Sequence, residues 1–424
     1  MTLALKRATK LSGSALPRGF RFAAMACGLK KNGRPDLAIL SSDAPTAAAG
    51  VFTTNLVQAA PVVLSREHLR RSARAVRAIV VNSGNANCAT GPVGMAAAQT
   101  TATAAARALD CRPEQVLVCS TGVIGVPLRV ERILRAISSL VRTRRATPGA
   151  FAAVTRAIMT TDTRPKWAAV SCRIGGRRVR LLGCAKGAGM IHPQMATMLA
   201  FVLTDAAAPP VALRRALGEV TARTFNAITI DGDTSTNDTL LLLASGASGA
   251  PAITTHTASY REFAAALEKI CRALALALVA DGEGAKRVVE IEVRGARSGR
   301  AAEQVARTIA GSPLVKTAFA GADPNWGRIL AAAGRAGVPF DPERAEIWMA
   351  GLHVYRRGMA LPFNERSAHR RLLRDYVPIV VDLHASVRRS AHSRSRAVSS
   401  RGSARIWTCD FTADYVRINA SYRT

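Results

Sequence analysis

The stretch AKGAGMIHPQMATMLAFVLTDA, Ala185 to Ala206, is the part of the sequence from which fold and chemistry can both be argued. A lysine and three small residues lead into a proline. The tract that follows, Met195 to Leu203, is apolar except for one hydroxyl, that of Thr197. A Gly-rich turn running into an apolar tract makes Pro193 to Thr197 the best candidate boundary and predicts a strand after it.

The position of Thr197 suggests a specific chemistry. A threonine hydroxyl is a weak nucleophile, but an N-terminal threonine carries its own general base, an α-amine with a pKa of about 8. The chain must then be cut before Thr197, and the same hydroxyl can make that cut by attacking the Ala196 carbonyl. Ala196 is small, and Lys186 supplies a nearby cation. A threonine in an apolar strand is also commonly a plain β-former, so these residues alone leave both interpretations open.

The composition indicates a large, intracellular-type protein. The chain has 424 residues, 49% of them hydrophobic, which is enough apolar surface to fold without disulfides. None of the eight cysteines forms a CxxC pair, and no HExxH motif occurs. We therefore expect reduced thiols, a cytoplasmic location and no metal site. No apolar run is long enough to span a membrane.

The charge is strongly positive, with a formal net charge of +31. Only nine of the 59 basic residues are lysine, and they are spread along the chain rather than grouped with aromatic residues. One cluster stands out, the Arg/Ser-rich segment 386–405, which we predict to be a mobile loop. An arginine-rich, polyanion-binding protein remains an alternative function.

The pattern of strands and helices predicts an α/β fold. Runs with period-two or β-branched patterns predict strands at 78–87, 116–125, 238–246, 287–295 and 376–385. Apolar spacing of three and four residues predicts helical segments at 260–281, 302–321 and 323–337. No solenoid-type repeat is present.

Two further motifs carry polar groups suited to catalysis. CSTGVIG places Thr121 and Gly122 at the end of an apolar strand, where a hydroxyl and a backbone N–H can face a developing oxyanion. The chain ends in DFTADYVRINASYRT, from which Asn419 and Thr424 can reach into a site. An ordinary turn and simple C-terminal docking explain the same residues. Dinucleotide-binding, P-loop, kinase and serine-hydrolase signatures are absent.

Taken together, the motifs closely resemble those of the ornithine acetyltransferase family of arginine biosynthesis, also called the glutamate N-acetyltransferase family. The resemblance covers nearly the whole chain. It includes the blocks VNSGNAN, STGVIG, MTTDT, AKGAGMIHPQMATMLAF, DGDTSTNDT, ALALVADGEGAKRVVEI, GADPNWGRILAAAGRAG and WTCDFTADYVRINASYRT. The block around Thr197 is highly specific.

The resemblance implies a self-cleaving enzyme with a layered α-β-β-α architecture of the N-terminal-nucleophile type, related to aminopeptidases. Cleavage at Ala196–Thr197 would give an α chain, 1–196, and a β chain, 197–424, assembled as an α2β2 heterotetramer. Thr197 would take acetyl from N2-acetylornithine and pass it to glutamate in a ping-pong cycle. No cofactor is implied, and whether acetyl-CoA is also a donor stays open.

The resemblance also assigns residue roles by position. Thr121 and Gly122 fall on the oxyanion hole. The substrate-binding positions are Thr160, Lys186, Thr197, Glu283, Asn419 and Thr424. An N-terminal-nucleophile amidase or aminopeptidase, which would pass the acyl group to water, remains the alternative enzyme class.

Overall fold

A computed structural model describes residues 11–192, 198–385 and 402–420. The described chain forms two compact units. The larger contains the residues up to 226 together with 233–281, and the smaller contains 227–232 and the residues from 282 onward. In the described ranges no helix has the length and apolar character needed to cross a membrane.

The described part of the larger unit combines eight strands and six α-helices. Its strands are β1 (Phe20–Met25), β2 (Leu37–Phe52), β3 (Val76–Asn85), β4 (Val116–Val123), β5 (Lys166–Ile174), β6 (Arg177–Lys186), β7 (Leu199–Thr204) and β8 (Thr239–Ala244). Its helices are α1 (Ala60–Ser72), α2 (Gly91–Leu109), α3 (Val130–Arg142), α4 (Pro148–Ala157), α5 (Pro210–Arg223) and α6 (Ala258–Val279).

Strand β2 joins two halves of the sheet in this unit. The strand order is β4-β3-β2-β8-β7-β6-β5, with β1 also paired to β2. Residues 37–41 of β2 pair with β3, whereas residues 47–52 pair with β8. Between these stretches the hydroxyls of Ser42 and Thr46 donate to the Val76 carbonyl, which compensates for the interrupted ladder.

The two halves of the sheet share one hydrophobic core. It contains Leu40 and Leu117 from one half and Leu182, Phe201 and Leu241 from the other, all fully buried. Since strand side chains alternate between faces, the neighbouring residues of each half point outward. On one side they pack on α2 and α3, and on the other α5 and α6 contact β2, β5 and β6. This order of layers confirms the predicted α-β-β-α architecture.

Strands β6 and β7 lie on either side of the predicted cleavage position. They are antiparallel neighbours, and Lys186 at the end of β6 pairs with Leu199 at the start of β7. A cut between them would therefore leave the two strands that flank it hydrogen-bonded to each other in one sheet. The predicted α and β chains both contribute to the larger unit and do not correspond to the two compact units.

The smaller unit is built on a six-stranded sheet of order β12-β11-β10-β13-β9-β14. Its strands are β9 (Val288–Ala296), β10 (Glu346–Met349), β11 (Leu352–Arg356), β12 (Met359–Ala360), β13 (Tyr376–Asp382) and β14 (Gly402–Cys409). Its helices are α7 (Gly299–Ala310), α8 (Pro313–Ala320), α9 (Trp326–Gly334), α10 (Glu365–Leu372) and α11 (Ala413–Ala420). Alternate residues of β9, which lies between β13 and β14, are fully buried.

The predicted strands and helices are confirmed, with two corrections. The helical segment 302–321 contains two helices, because Gly311, Ser312 and Pro313 end one and begin the next. The predicted loop 386–405 is wrong at its end, since residues 402–405 belong to β14 and pair with β9. The rest of that segment, 386–401, lies outside the described residues.

Candidate active site

Thr121 and Gly122 lie at the end of β4, as the sequence predicts. Gly122 has a φ of +137°, and a Cβ there would come within 2.3 Å of the Gly84 carbonyl carbon on the neighbouring strand β3. No other residue type fits this close approach of two backbones. The glycine therefore allows β4 to end close against β3, with the Gly122 N–H directly after the Thr121 hydroxyl in the chain.

Lys186 contacts Thr121 directly, although 65 residues separate them in the chain. Its Nζ donates to the Thr121 Oγ1 over 3.1 Å, and both side chains are buried. A lysine ammonium only donates, so the hydroxyl accepts this bond and keeps its own hydrogen for another acceptor. The cation polarises the hydroxyl, which makes it a stronger donor to a developing negative charge.

Asp162 holds the loop that contains Thr160. Its Oδ2 accepts from the Thr160 backbone N–H over 3.0 Å, and its Oδ1 accepts from Gly187 N–H over 2.7 Å and from Lys166 Nζ over 2.5 Å. Thr160 and the residue after Lys186 are thus tied to one buried carboxylate. The arrangement brings two of the predicted substrate-binding residues into the same network.

The charge of Asp162 is stabilised by its neighbours. Burial alone would raise its pKa, but Lys186, Lys166 and the Gly187 N–H outweigh burial and lower the pKa to about 2. Lys166 also binds Asp281 Oδ2 over 2.5 Å, and Thr163 donates to the same carboxylate. Asp281 ends the larger unit and comes two residues before Glu283 in the chain.

The chain on the far side of the predicted cut is fixed at Met198. Its backbone N–H donates to Asp238 Oδ1 over 2.8 Å, and its carbonyl accepts from the Thr239 N–H over 3.0 Å. Ala196 and Thr197, the predicted cleavage pair, lie outside the described residues. Their roles remain predictions.

Glu283 and Asn419 meet in the smaller unit. Asn419 Nδ2 donates to Glu283 Oε2 over 2.7 Å. Helix α11 can come this close because Gly284 has a φ of +71° and a Cβ there would lie 2.7 Å from the Tyr415 N atom. The C-terminal segment is therefore docked up to residue 420, and the substrate-binding role of Asn419 stays a prediction. Thr424 lies outside the described residues.

Sequence reasoning missed most of the charged network. Asp162 lies in the block MTTDT, but no sequence pattern identifies Lys166 or Asp281, because nothing local links residues 115 positions apart. The i,i+4 spacing of Asp162 and Lys166 was the one available signal. No group of three or more potential metal-ligating side chains occurs among the described residues.

Comparison with known proteins decides the family. Residues 21–424 match the ArgJ family. The arginine biosynthesis bifunctional protein ArgJ of Symbiobacterium thermophilum is 48% identical, over 97% of this chain and 98% of that protein. The chain belongs to the ArgJ family. The predicted membership of this arginine-biosynthesis family is thus confirmed.

Two solved structures are also similar to this ArgJ-family chain. One is ornithine acetyltransferase complexed with ornithine from Mycobacterium tuberculosis, 36% identical over 43% of this chain and 94% of that chain, with a TM-score of 0.37. The other is the L-aminopeptidase D-Ala-esterase/amidase of Ochrobactrum anthropi, described as a variant of the Ntn hydrolase fold. It is 10% identical over 64% of this chain and 88% of that chain, with a TM-score of 0.38.

Proposed function

We propose that this protein is a self-processing acetyltransferase that moves acetyl from N2-acetylornithine to L-glutamate through an acetyl-threonine on Thr197. Membership of the ArgJ family supports the substrates. The observation that carries the chemistry is the buried Lys186–Thr121 hydrogen bond beside Gly122. Because Lys186 pairs with Leu199, this group of donors lies where the chain re-enters the sheet two residues after Thr197.

The first reaction is self-cleavage of the peptide bond between Ala196 and Thr197. The Thr197 Oγ attacks the Ala196 carbonyl carbon, its proton passes to the Thr197 nitrogen, and the C–N bond breaks to leave an ester. Water then hydrolyses the ester, which releases the Ala196 carboxylate and an N-terminal Thr197 with a free α-amine. Pairing of β6 with β7 supports our proposal that the α and β chains stay associated.

The second reaction is transfer in two halves. The Thr197 amine takes the Oγ proton as Oγ attacks the acetyl carbonyl of N2-acetylornithine, and the Thr121 hydroxyl and Gly122 N–H donate to the oxyanion. The C–N bond then breaks, and ornithine leaves with the proton from the Thr197 ammonium. The amine of glutamate attacks the acetyl-threonine by the same route and regenerates the enzyme.

We assign substrate contacts to Lys186, Thr160 and Thr424 at the α-carboxylate end and to Glu283 and Asn419 at the other. A carboxylate bound by an amide, as at Glu283, is suited to the side-chain ammonium of ornithine. No step requires a metal or prosthetic group, and acetyl-CoA is a candidate second acetyl donor. We further propose an α2β2 assembly. The eight cysteines are all free thiols, which supports our proposal of a reducing, cytoplasmic location.

The wild-type protein tests this function. We expect intact-mass spectrometry to find two chains that end and begin at Ala196 and Thr197, and acetylornithine consumption to depend on glutamate. An amidase or aminopeptidase of the same machinery would instead pass the acetyl group to water at a similar rate without glutamate. A single uninterrupted chain in fully active material would show that the proposal is wrong.

Lys186→Met should reduce turnover while the protein stays folded. Methionine keeps the apolar stem but removes the donor to Thr121, so the oxyanion loses part of its stabilisation, and we expect kcat/KM to fall about 10²-fold. Lys269→Met, at an exposed position on α6, is the matched control and should be as active as wild type. Steady-state kinetics decide the matter, and an unchanged kcat/KM for Lys186→Met would remove this lysine from the site.

A further inference from the structure

A cavity of about 640 Å³ lies between helix α1, strand β2 and the first turns of α5. A volume of this size is typical of small-molecule sites. Val63, Arg66, Glu67 and Arg70 line it, and their spacing of three and four residues places them on one face of α1. None of the residues that line this cavity has a part in the proposed reaction, so the cavity is not explained by acetyl transfer.

The side chains around the cavity are mostly basic. Arg66, Arg70 and Arg214 all line it, and none of them has a carboxylate partner among the described residues. Glu67 also lines it, but its carboxylate is paired with Arg71 over 2.5 Å. Three guanidinium groups without a carboxylate favour an anionic ligand, and their planar donors suit carboxylates in particular.

Strand β2 contributes free backbone groups to the same cavity. Residues 47–52 of β2 pair with β8 on one side, and among the described strands none pairs with their other side. The Ala48 N–H points away from β8 and donates to the Ala73 carbonyl over 2.7 Å. Residues two apart in an antiparallel strand point their N–H and C=O groups the same way, so those of Gly50 also point away from β8. Gly50 lines the cavity and therefore offers a donor and an acceptor to an amide group of a ligand.

The remaining surface of the cavity is largely apolar. Phe52, Val63 and Leu69 line it, and the Arg66 guanidinium lies 5.4 Å from the centre of the Phe52 ring. That contact places one cation directly beside an apolar wall. A matching ligand combines negative charge with an amide and a small apolar group, and it carries no ammonium group.

We propose that this cavity binds an N-acylated dicarboxylic amino acid, the chemical class of the product N-acetylglutamate. The inference rests on the proposed function, which defines that product. The two carboxylates match the guanidinium groups, the amide matches the free edge at Gly50, and the methyl group matches the apolar wall. The cavity is larger than one such molecule, so bridging water fills the rest.

The other reactants do not fit this description. Acetylornithine, ornithine and glutamate each carry at least one ammonium group, which the three arginines repel. The product alone has two negative charges and no positive one. Product therefore binds here without competition from either substrate.

Equilibrium dialysis of the wild-type protein with N-acetyl-L-glutamate, labelled in its glutamate carbons, tests the proposal. We expect two molecules bound per pair of α and β chains, one at the proposed active site and one in this cavity. The double variant Arg66→Gln/Arg70→Gln should bind only one over the same concentration range. Its affinity in the cavity should fall at least about tenfold, because each substitution removes charge-assisted hydrogen bonds. Its kcat/KM for acetyl transfer should equal that of wild type.

Arg135→Gln/Arg142→Gln is the matched control, because it removes two positive charges from exposed positions on α3. It should still bind two molecules, and loss of the second molecule here too would mean that net charge alone is responsible, which overturns the proposal. If Arg66→Gln/Arg70→Gln does not fold, Arg214→Gln tests the cavity from α5 and should also weaken the second binding event.

The remaining outcomes separate this inference from the proposed function. Two molecules bound by Arg66→Gln/Arg70→Gln would place the second site elsewhere and overturn the proposal. Displacement of the second molecule by inorganic phosphate or glutarate as readily as by unlabelled N-acetylglutamate would overturn it too, since neither competitor has an amide. One molecule in the wild type that the double variant loses would support this site and contradict the proposed active site. One molecule that the double variant keeps would overturn the inference alone.

Discussion

Thr197→Ala is expected to leave the protein as one full-length chain and to abolish acetyl transfer. The substitution removes the hydroxyl that attacks the Ala196 carbonyl, and it also removes the group that would carry the acetyl. Loss of the nucleophile in a hydrolase of the serine class costs about 10⁶-fold in kcat, so no transfer should be detected here. A denaturing gel and an assay with acetylornithine and glutamate measure both effects.

Thr197→Ser is the matched control, because it keeps a hydroxyl at the same position without the β-methyl group. This variant should still cut, more slowly than wild type, and should recover part of the transfer activity. Two chains of wild-type size from Thr197→Ala would contradict the assignment of the nucleophile. If Thr197→Ser is cleaved but transfers no acetyl, the two roles are separate, because a serine hydroxyl would then be sufficient for self-cleavage and not for acetyl transfer.

The strands of the fold were predictable where the sequence contains continuous β-branched or alternating apolar runs. Strand β2 was not, because its middle contains Ser42, Asp43 and Pro45, residue types that favour turns. In the folded chain this polar stretch is the place where β2 passes from one half of the sheet to the other. The hydroxyls of Ser42 and Thr46 donate to β3 in place of the missing backbone hydrogen bonds. This substitution depends on tertiary contacts with β3, which the local sequence does not show.

The site was predictable only as a set of separate motifs. Thr121 and Gly122, the proposed oxyanion-hole residues, could be recognised from the end of an apolar strand, and Lys186 from the Gly-rich turn. That Lys186 donates to Thr121 depends on how the two halves of the sheet pack on each other, which local sequence does not specify. The role of Asp162 likewise depends on Lys166, whose position in a strand of otherwise mixed polarity gave no sign of burial.

Asp162→Ala should destabilise the protein by about 3–5 kcal/mol at pH 7. Asp162 is buried between Lys166 and the Gly187 N–H, and removing one partner of a buried ion pair leaves charge and donors uncompensated. Asp43→Ala is the matched control, because Asp43 pairs with Arg21 in a half-exposed salt bridge that is worth at most about 1 kcal/mol. Urea unfolding at one fixed protein concentration compares them, because the proposed α and β chains would also dissociate on unfolding.

The pH dependence of the free energy of unfolding tests whether Asp162 stabilises the fold as an anion. The pKa of Asp162 is lowered from an ordinary value near 3.8 to about 2 in the folded protein, so its ionisation stabilises the fold above the unfolded-state pKa. That contribution is about 2 kcal/mol, and it disappears as the pH falls from about 5 towards 2. The stability difference between wild type and Asp162→Ala should therefore shrink over this range. A difference that stays constant down to pH 2 would mean that Asp162 is not held as an anion, and that its hydrogen bonds to Thr160 and Gly187 alone stabilise the loop.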